Sequence, residues 1–460
     1  MADSMRSKLL RLKAPRANIT YDVGNDGTSE PRELPFVVGI FADLSGDGKD
    51  QAGRAMRDID RASFDQVMAA IAPRLEFCAA AFTEWAGELA QDGDPVLTFS
   101  SIEDFAPSRI IGAMPQLARL QAKDDAALRR ALSAIMDSAA FRKMEASWRG
   151  LHYLVCNTDT SAMLRLRVMD SGKSDLAHSL QLALDTGQGE PYSLLIGDHA
   201  FGAGASDMAL LEEIAAIAAA AHAPFVAQAS SDFLGPDSFA GATLLPEPQH
   251  LAGSGAPDGW HAFRERDDAR YVTLAWPRVL LRPPYDALGQ ENGLWGNPAY
   301  LLAARVTQAF AVYRWPAAIH AALDSELAFP PEAAAGQQSG HALAAPGFAM
   351  LPDCAGMLPC LLAASRFAHY IKAMMRGKVG AGLTRASVER YLDSWIANYV
   401  LLDDNVTQEV RAAYPLRAAH VAVTEVAGEP GAYCATVFLK PHFQLDELTT
   451  SIRLVVHLPH

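Results

Sequence analysis

The residues best suited to chemistry in this sequence lie in a few short segments, and each lacks an essential element of a known site. Residues 46–49 read GDGK, a glycine-rich turn that ends in a lysine. A phosphate-binding loop needs a longer spacing and a Ser or Thr directly after the lysine. The segment is therefore predicted to be a surface turn.

His199 follows Asp198 in the segment GDHAFG and could act as a general base. A histidine there could equally cap the turn after a buried strand. A hydrolase that uses His199 is one hypothesis, but the sequence has no GxSxG elbow and no HExxH helix. Cys354, Cys360 and His341 could be metal ligands, although their spacing matches no standard site. We predict a protein that is not an enzyme and that uses no cofactor or metal.

The composition is that of a globular protein with an acidic surface. The chain has 460 residues, of which half are hydrophobic and a fifth are charged, enough for two or three domains. Its formal net charge is -14. Because a protein that wraps duplex nucleic acid needs a basic face, nucleic acid is not an expected partner.

The cysteines and the apolar segments indicate the compartment. The five cysteines are scattered and form no CxxC pair, which is typical of a reducing environment. The longest apolar run, residues 214–226, is too short to cross a bilayer. We therefore expect a cytoplasmic bacterial protein with no membrane insertion.

Both ends of the chain have alternating apolar and polar residues, which predicts strands with one buried face. An unpaired strand edge is a template for pairing with another chain. We expect these strands to complete sheets between subunits, through Ile19, Tyr21 and Val23 and through Ile452, Arg453, Leu454, Val455 and Val456. The alternative is that the last strand pairs with its own hairpin, formed by residues 421–426 and 433–439.

Between these ends, short β-type runs alternate with helical segments, which predicts a mixed α/β fold. Residues 324–360 are rich in Pro, Gly and Ala and are predicted to be a loop. A helix should follow near residues 388–399, and the chain should close with a hairpin plus a strand over residues 417–460.

The first part of the sequence resembles the small subunit of the type VI secretion contractile sheath. The resemblance lies in RANITYDVGNDG, LPFVVGIFADLSG, IDRASFDQVM and LTFSSIEDFAPSRIIGAMPQL. The rest resembles a shortened large subunit, through FRKMEASWRGLHYLV, PYSLLIGDHAFG, FRERDDARYVTLAWPRVLLRPPY, LWGNPAYLLAARVTQAF, SRFAHYIKAMMRGKVG and the tail FLKPHFQLDELTTSIRLVVHLP. The sequence is thus similar to a fusion, with regions 1–125 and 126–460.

The resemblance implies a tail-sheath-like body that polymerises by self-association into a helical sheath or ring. Such a sheath surrounds an inner tube protein, meets baseplate components and drives the tube by contraction. The resemblance places a basic helical region towards the tube, with Arg376, Lys378, Arg385 and Arg390 as possible contacts; a solvated helix face explains the same charges. The alternative function is a shortened paralogue that does not contract and that caps, nucleates or regulates a sheath.

One partner of the family is not expected here. In the family, the large subunit begins with an extra helical region through which an AAA+ ATPase recycles contracted sheath. This sequence passes from the small-subunit-like region straight into the large-subunit-like region near residues 122–132. The resemblance therefore does not extend to recycling by that ATPase.

Overall fold

A computed structural model describes most of the chain. The described residues are 19–23, 30–46, 55–77, 96–121, 124–186, 190–230, 258–276, 278–285, 293–316, 349–350, 357–378, 384–402, 414–426, 433–441 and 452–458. Helices and strands both contribute, so the predicted mixed α/β fold is confirmed.

Sixteen strands are found in the described residues. They are β1 Tyr21–Val23, β2 Glu30–Arg32, β3 Phe36–Ala42, β4 Arg57–Ile59, β5 Arg74–Glu76, β6 Val96–Thr98, β7 Leu164–Asp170, β8 Tyr192–Phe201, β9 Phe225–Ala229, β10 Val272–Trp276, β11 Val279–Arg282, β12 Leu294–Gly296, β13 Ala349–Met350, β14 Leu416–Glu425, β15 Tyr433–Pro441 and β16 Ile452–His457.

The same residues contain eleven α-helices. They are α1 Phe64–Ile71, α2 Pro107–Ala113, α3 Pro115–Gln121, α4 Asp125–Asp137, α5 Ala139–Cys156, α6 Leu176–Thr186, α7 Ala205–Ala221, α8 Asp258–Arg264, α9 Ala299–Tyr313, α10 Met357–Arg376 and α11 Arg385–Ala397. Helix α10 begins inside the segment predicted as a loop, and residues 317–348 and 351–356 of that region lie outside the described residues.

A seven-stranded sheet forms the centre of the protein, in the order β13-β10-β9-β8-β3-β7-β4. The five inner strands are parallel, and β13 and β4 pair antiparallel at the two edges. Every residue of β3 is buried, as expected for a strand of an apolar run with helices over both faces. One hydrophobic cluster covers each face of the sheet.

The two regions predicted from resemblance share this sheet. Strand β3 belongs to region 1–125, yet it is hydrogen-bonded on one side to β7 and on the other to β8, both from region 126–460. The middle of the sheet is thus assembled from both regions. Without β3 from the first region, strands β7 and β8 of the second region would have no strand between them.

Helices α5 and α9 pack closely on one face of the sheet because a glycine lies where they meet. A Cβ atom added at Gly150 of α5 would lie 2.4 Å from the ring of Tyr300 of α9. Tyr300 is itself fully buried, so its ring has no room to move away. The close approach therefore requires glycine at this position.

We expect Gly150→Ala to lower the free energy of unfolding by about 1–3 kcal/mol, because the added methyl group overpacks the contact. Gly112→Ala in α2 is the matched control, since nothing lies within 4 Å of the added atom. Thermal and urea unfolding of the two variants measure the difference. Equal midpoints for the two variants would contradict this account of the packing.

Candidate assembly interface at the C-terminal sheet

The last three strands form a separate antiparallel sheet in the order β14-β15-β16. Its inner face is buried through Val421, Val437 and Val456, one residue from each strand. Strand β16 pairs with β15 from Ile452, opposite Leu439, to its last residue. In the isolated chain the final strand therefore pairs with its own hairpin, the alternative that the sequence left open.

The first strand is also paired within the chain. Strand β1 pairs antiparallel with β2, and two aromatic side chains of the α11 region hold the residue before it. Trp395 Nε1 donates a hydrogen bond of 2.9 Å to the carbonyl oxygen of Thr20. The hydroxyl of Tyr399 accepts from the amide of Thr20 and donates to its carbonyl, both at 3.1 Å. Ile19 is buried, so this end of the chain is anchored.

A buried arginine of α10 fixes the segment between β2 and β3. The guanidinium of Arg366 donates to the carbonyl oxygen of Pro35 at 2.8 Å and to that of Leu34. Its charge faces the rings of Phe310 and Tyr370, at 5.3 and 5.1 Å from the ring centres. Backbone carbonyls and aromatic faces thus replace water around this cation.

The four basic residues predicted as tube contacts lie in different surroundings. Arg376 and Arg390 are exposed, and Arg390 donates to a carbonyl of its own helix. The ammonium of Lys378 lies 4.6 Å from the ring centre of Tyr391. Arg385 donates to the carbonyl oxygen of Val423 in β14, so it has a structural role that its charge alone did not indicate.

Exposed apolar side chains are concentrated in the C-terminal part of the described chain. Of the six large apolar residues that are exposed in the described chain, four lie within residues 402–455: Leu402, Tyr414, Phe438 and Val455. Phe438 lies on the central strand β15 and Val455 on the edge strand β16, and the ring of Phe438 stacks on His420. This sheet is the strongest candidate for an interface.

Of the candidate catalytic and metal-binding side chains, the structure describes those of His199 and Cys360. His199 is buried in β8, and burial lowers its pKa from the ordinary value of 6.5. Its Nε2 atom has no hydrogen-bond partner among the described residues. Burial raises the pKa of the Cys360 thiol to about 11, which keeps it protonated. Cys354, His341 and residues 47–49 lie outside the described residues.

Within the described residues, no group of three or more His, Cys, Asp or Glu side chains could hold a metal ion. None of the described helices combines the length and the apolar character that a bilayer crossing requires.

Three family matches cover most of the chain. Residues 9–165 match the VipA family of the type VI secretion system. Residues 119–328 match the VipB tail sheath N-terminal domain, and residues 352–458 match the VipB tail sheath gpW/gp25-like domain. The last match contains α10, α11 and the whole C-terminal sheet.

Two curated relatives from Pseudomonas aeruginosa PAO1 agree with these matches. The chain is 32% identical to type VI secretion system sheath protein TssC1 over 419 residues, covering 73% of this chain and 84% of the relative. It is 33% identical to sheath protein TssB1 over 121 residues, covering 25% of this chain and 68% of that relative. The chain belongs to the type VI secretion system sheath proteins. It combines both sheath subunit types in one polypeptide, as the sequence predicted.

In this sheath protein, α10 also stabilises the C-terminal end of α7. His369 Nε2 donates to the carbonyl oxygen of Ala221 at 3.2 Å, and Lys372 donates to that of Ala220 at 3.0 Å. Both acceptors are among the last carbonyls of α7, which have no partner within the helix. Burial lowers the pKa of His369 to about 3 and that of Lys372 to about 8.

We expect Arg366→Met to lower the free energy of unfolding by about 2–3 kcal/mol, because two buried carbonyl oxygens lose their donor. Arg130→Met on the exposed surface of α4 serves as the control. Urea unfolding gives the stability. Limited proteolysis should also show faster cleavage before residue 36 in the Arg366 variant. An Arg366 variant as stable as the control would show that this cation does not anchor the segment.

The lowered pKa of His369 predicts that the folded protein loses stability as the pH falls. The unfolded chain binds a proton on this imidazole below pH 6.5, whereas the folded chain does so only near pH 3. Between these values the unfolded state binds more protons, so stability falls as the pH falls, by roughly 1.4 kcal/mol per unit at most. In His369→Gln this contribution is absent, and stability measured from pH 7 to pH 4 should fall less steeply. Parallel pH profiles would contradict the prediction.

Proposed function

We propose that this sheath protein polymerises through its C-terminal sheet, with an extended segment of a neighbouring copy pairing at β16. The observation that carries the proposal is the position of β16 at the outside of the sheet, with no further strand beside it in the described part of the chain. Strand addition at such an edge supplies main-chain hydrogen bonds, and neighbouring side-chain contacts supply specificity.

The backbone direction along β16 identifies the groups that face outwards. The amide of Leu458 donates to the carbonyl oxygen of Tyr433, and the pairing with β15 continues without a shift of register. Because the direction of the amides alternates along a strand, the amide of Val455 points away from β15. This amide and that of Arg453 are the donors that a neighbouring strand would use.

The strand that pairs at this edge can come from either end of another copy. Exchange of β16 itself between copies, with Ile452, Arg453, Leu454, Val455 and Val456 pairing in a neighbour's sheet, reuses the inward-facing hydrogen bonds to a β15 strand and leaves the outer edge of β16 open to a further strand. Exchange of Ile19, Tyr21 and Val23 would first have to break the contacts of Thr20 with Trp395 and Tyr399. Exchange at the N-terminal end therefore breaks side-chain contacts to Thr20 in addition to the backbone pairing of β1 with β2.

A contact that joins different surfaces of successive copies generates a helical tube when the rotation between copies does not close a ring. We further propose that this tube encloses an inner tube protein, meets baseplate components and contracts by rigid-body rearrangement of its subunits. The exposed positions of Arg376 and Arg390 support them as tube contacts, and Arg385 is exposed as well although it bonds to β14. We propose no catalytic role.

Val455→Pro tests the proposal without disturbing the pairing of β15 and β16. Proline removes only an outward-facing amide, a substitution that edge strands tolerate. We expect the variant to remain folded but to lose long tubes in electron micrographs, whereas the control Val455→Thr, which keeps the amide, forms them. Tubes from both variants would contradict strand addition at β16. Rings or single copies from both variants and from the wild-type chain would instead support the paralogue that does not contract.

A further inference from the structure

Helix α11 has two stripes of residues with a spacing of four. Val388, Leu392 and Ile396 are buried and pack with β14 and β15 in the core. Arg385, Glu389 and Asp393 form a second stripe. Glu389 directly follows Val388 of the buried stripe, and Asp393 directly follows Leu392. All three side chains of this ionic stripe contact the backbone of β14.

The contacts lie on the edge of β14 that faces away from β15. Asp393 Oδ1 accepts a hydrogen bond of 3.0 Å from the amide of Val421, and Glu389 Oε2 accepts one of 3.0 Å from the amide of Val423. Arg385 Nη1 donates to the carbonyl oxygen of Val423 at 3.0 Å and lies 3.2 Å from Glu389 Oε2. The stripe thus bonds two amides and one carbonyl that an added strand would need.

The beginning of β14 is covered on the same edge by backbone. The amide of Leu416 donates to the carbonyl oxygen of Tyr399 at 3.1 Å, and the amide of Leu401 donates to the carbonyl oxygen of Leu416 at 2.8 Å. Groups on this edge are therefore bonded near both ends of the strand. Strand β16, at the opposite side of the sheet, has no further strand paired with its outer edge among the described residues.

We propose that Arg385, Glu389 and Asp393 act as an edge cap, which prevents an extended segment of a second copy of this chain from pairing with β14. This inference rests on the proposed function, since it explains why assembly would use β16 alone. A sheet with two open edges could add strands on both sides and join copies in the wrong geometry. A sheet whose β14 edge is capped can add a strand at the β16 edge alone.

The cap works through hydrogen-bond acceptors, and their contribution can be separated from that of the negative charges. In Glu389→Ala/Asp393→Ala the amides of Val421 and Val423 lose their acceptors. In Glu389→Gln/Asp393→Asn the side-chain carbonyls can still accept, although the negative charges are gone. Ser394→Ala changes an exposed residue of the same helix and leaves the edge unaltered.

Hydrogen exchange measured by mass spectrometry on the unassembled chain tests the cap directly. In the double alanine variant we expect exchange in peptides covering residues 419–425 to be about tenfold faster. The double amide variant and Ser394→Ala should stay close to the wild-type rate. The cap is excluded if the alanine variant exchanges at the wild-type rate, or if it exchanges faster along the whole chain instead of in β14.

A second measurement tests what the cap prevents. In a Val455→Pro background, where the β16 edge is blocked, analytical ultracentrifugation should find single copies as long as the cap is intact. Adding the two alanine substitutions should produce association through β14, and adding the two amide substitutions should not. If the uncapped chain stays a single copy, the cap does not control assembly.

The two measurements separate this inference from the proposed function. Failure of strand addition at β16 would appear as tubes formed by Val455→Pro itself. The exchange rates of the Val421 and Val423 amides do not depend on tube formation. They decide whether the cap exists in either case.

Discussion

Backbone hydrogen bonding at the edges of sheets governs the fold of this protein and underlies its proposed assembly. The central sheet ends on each side in a short antiparallel strand, β4 or β13, and short edge strands are a common means of preventing further pairing. The two edges of the C-terminal sheet differ in the groups that are bonded to them. Side chains of α11 bond to the outer edge of β14, whereas β16 lies at the other edge with no strand beyond it in the described residues. In the proposed assembly, this difference restricts the addition of strands to the β16 edge.

The fused arrangement of the two sheath subunit types has a physical basis in the central sheet. Strand β3 comes from the small-subunit-like region but lies between β7 and β8 of the large-subunit-like region. Buried contacts of Arg366 with the carbonyls of Leu34 and Pro35 continue this connection beyond the sheet. A single polypeptide fixes the ratio of the two regions at one to one and makes their contacts intramolecular.

The sequence predicted those features that depend on local pattern. The apolar run at β3, the alternation at β16 and the periodic helix containing Val388 and Leu392 each appear in the structure. Pairing between distant strands could not be derived in this way, because the position of β3 between β7 and β8 depends on contacts more than a hundred residues apart. The role of Arg385 was missed for the same reason. The spacing of residues 385, 389 and 393 was a visible signal, but nothing in the pattern shows that β14 lies beside it.

The most direct test of the account is a cryo-electron microscopy structure of the assembled protein at a resolution that traces strands. The account predicts backbone density from another copy paired with the outer edge of β16, with α11 still covering β14. It also predicts that Thr20 remains in contact with Trp395 and Tyr399. A polymer whose copies pair at β14, or whose subunits meet only through other faces of the protein, would contradict it.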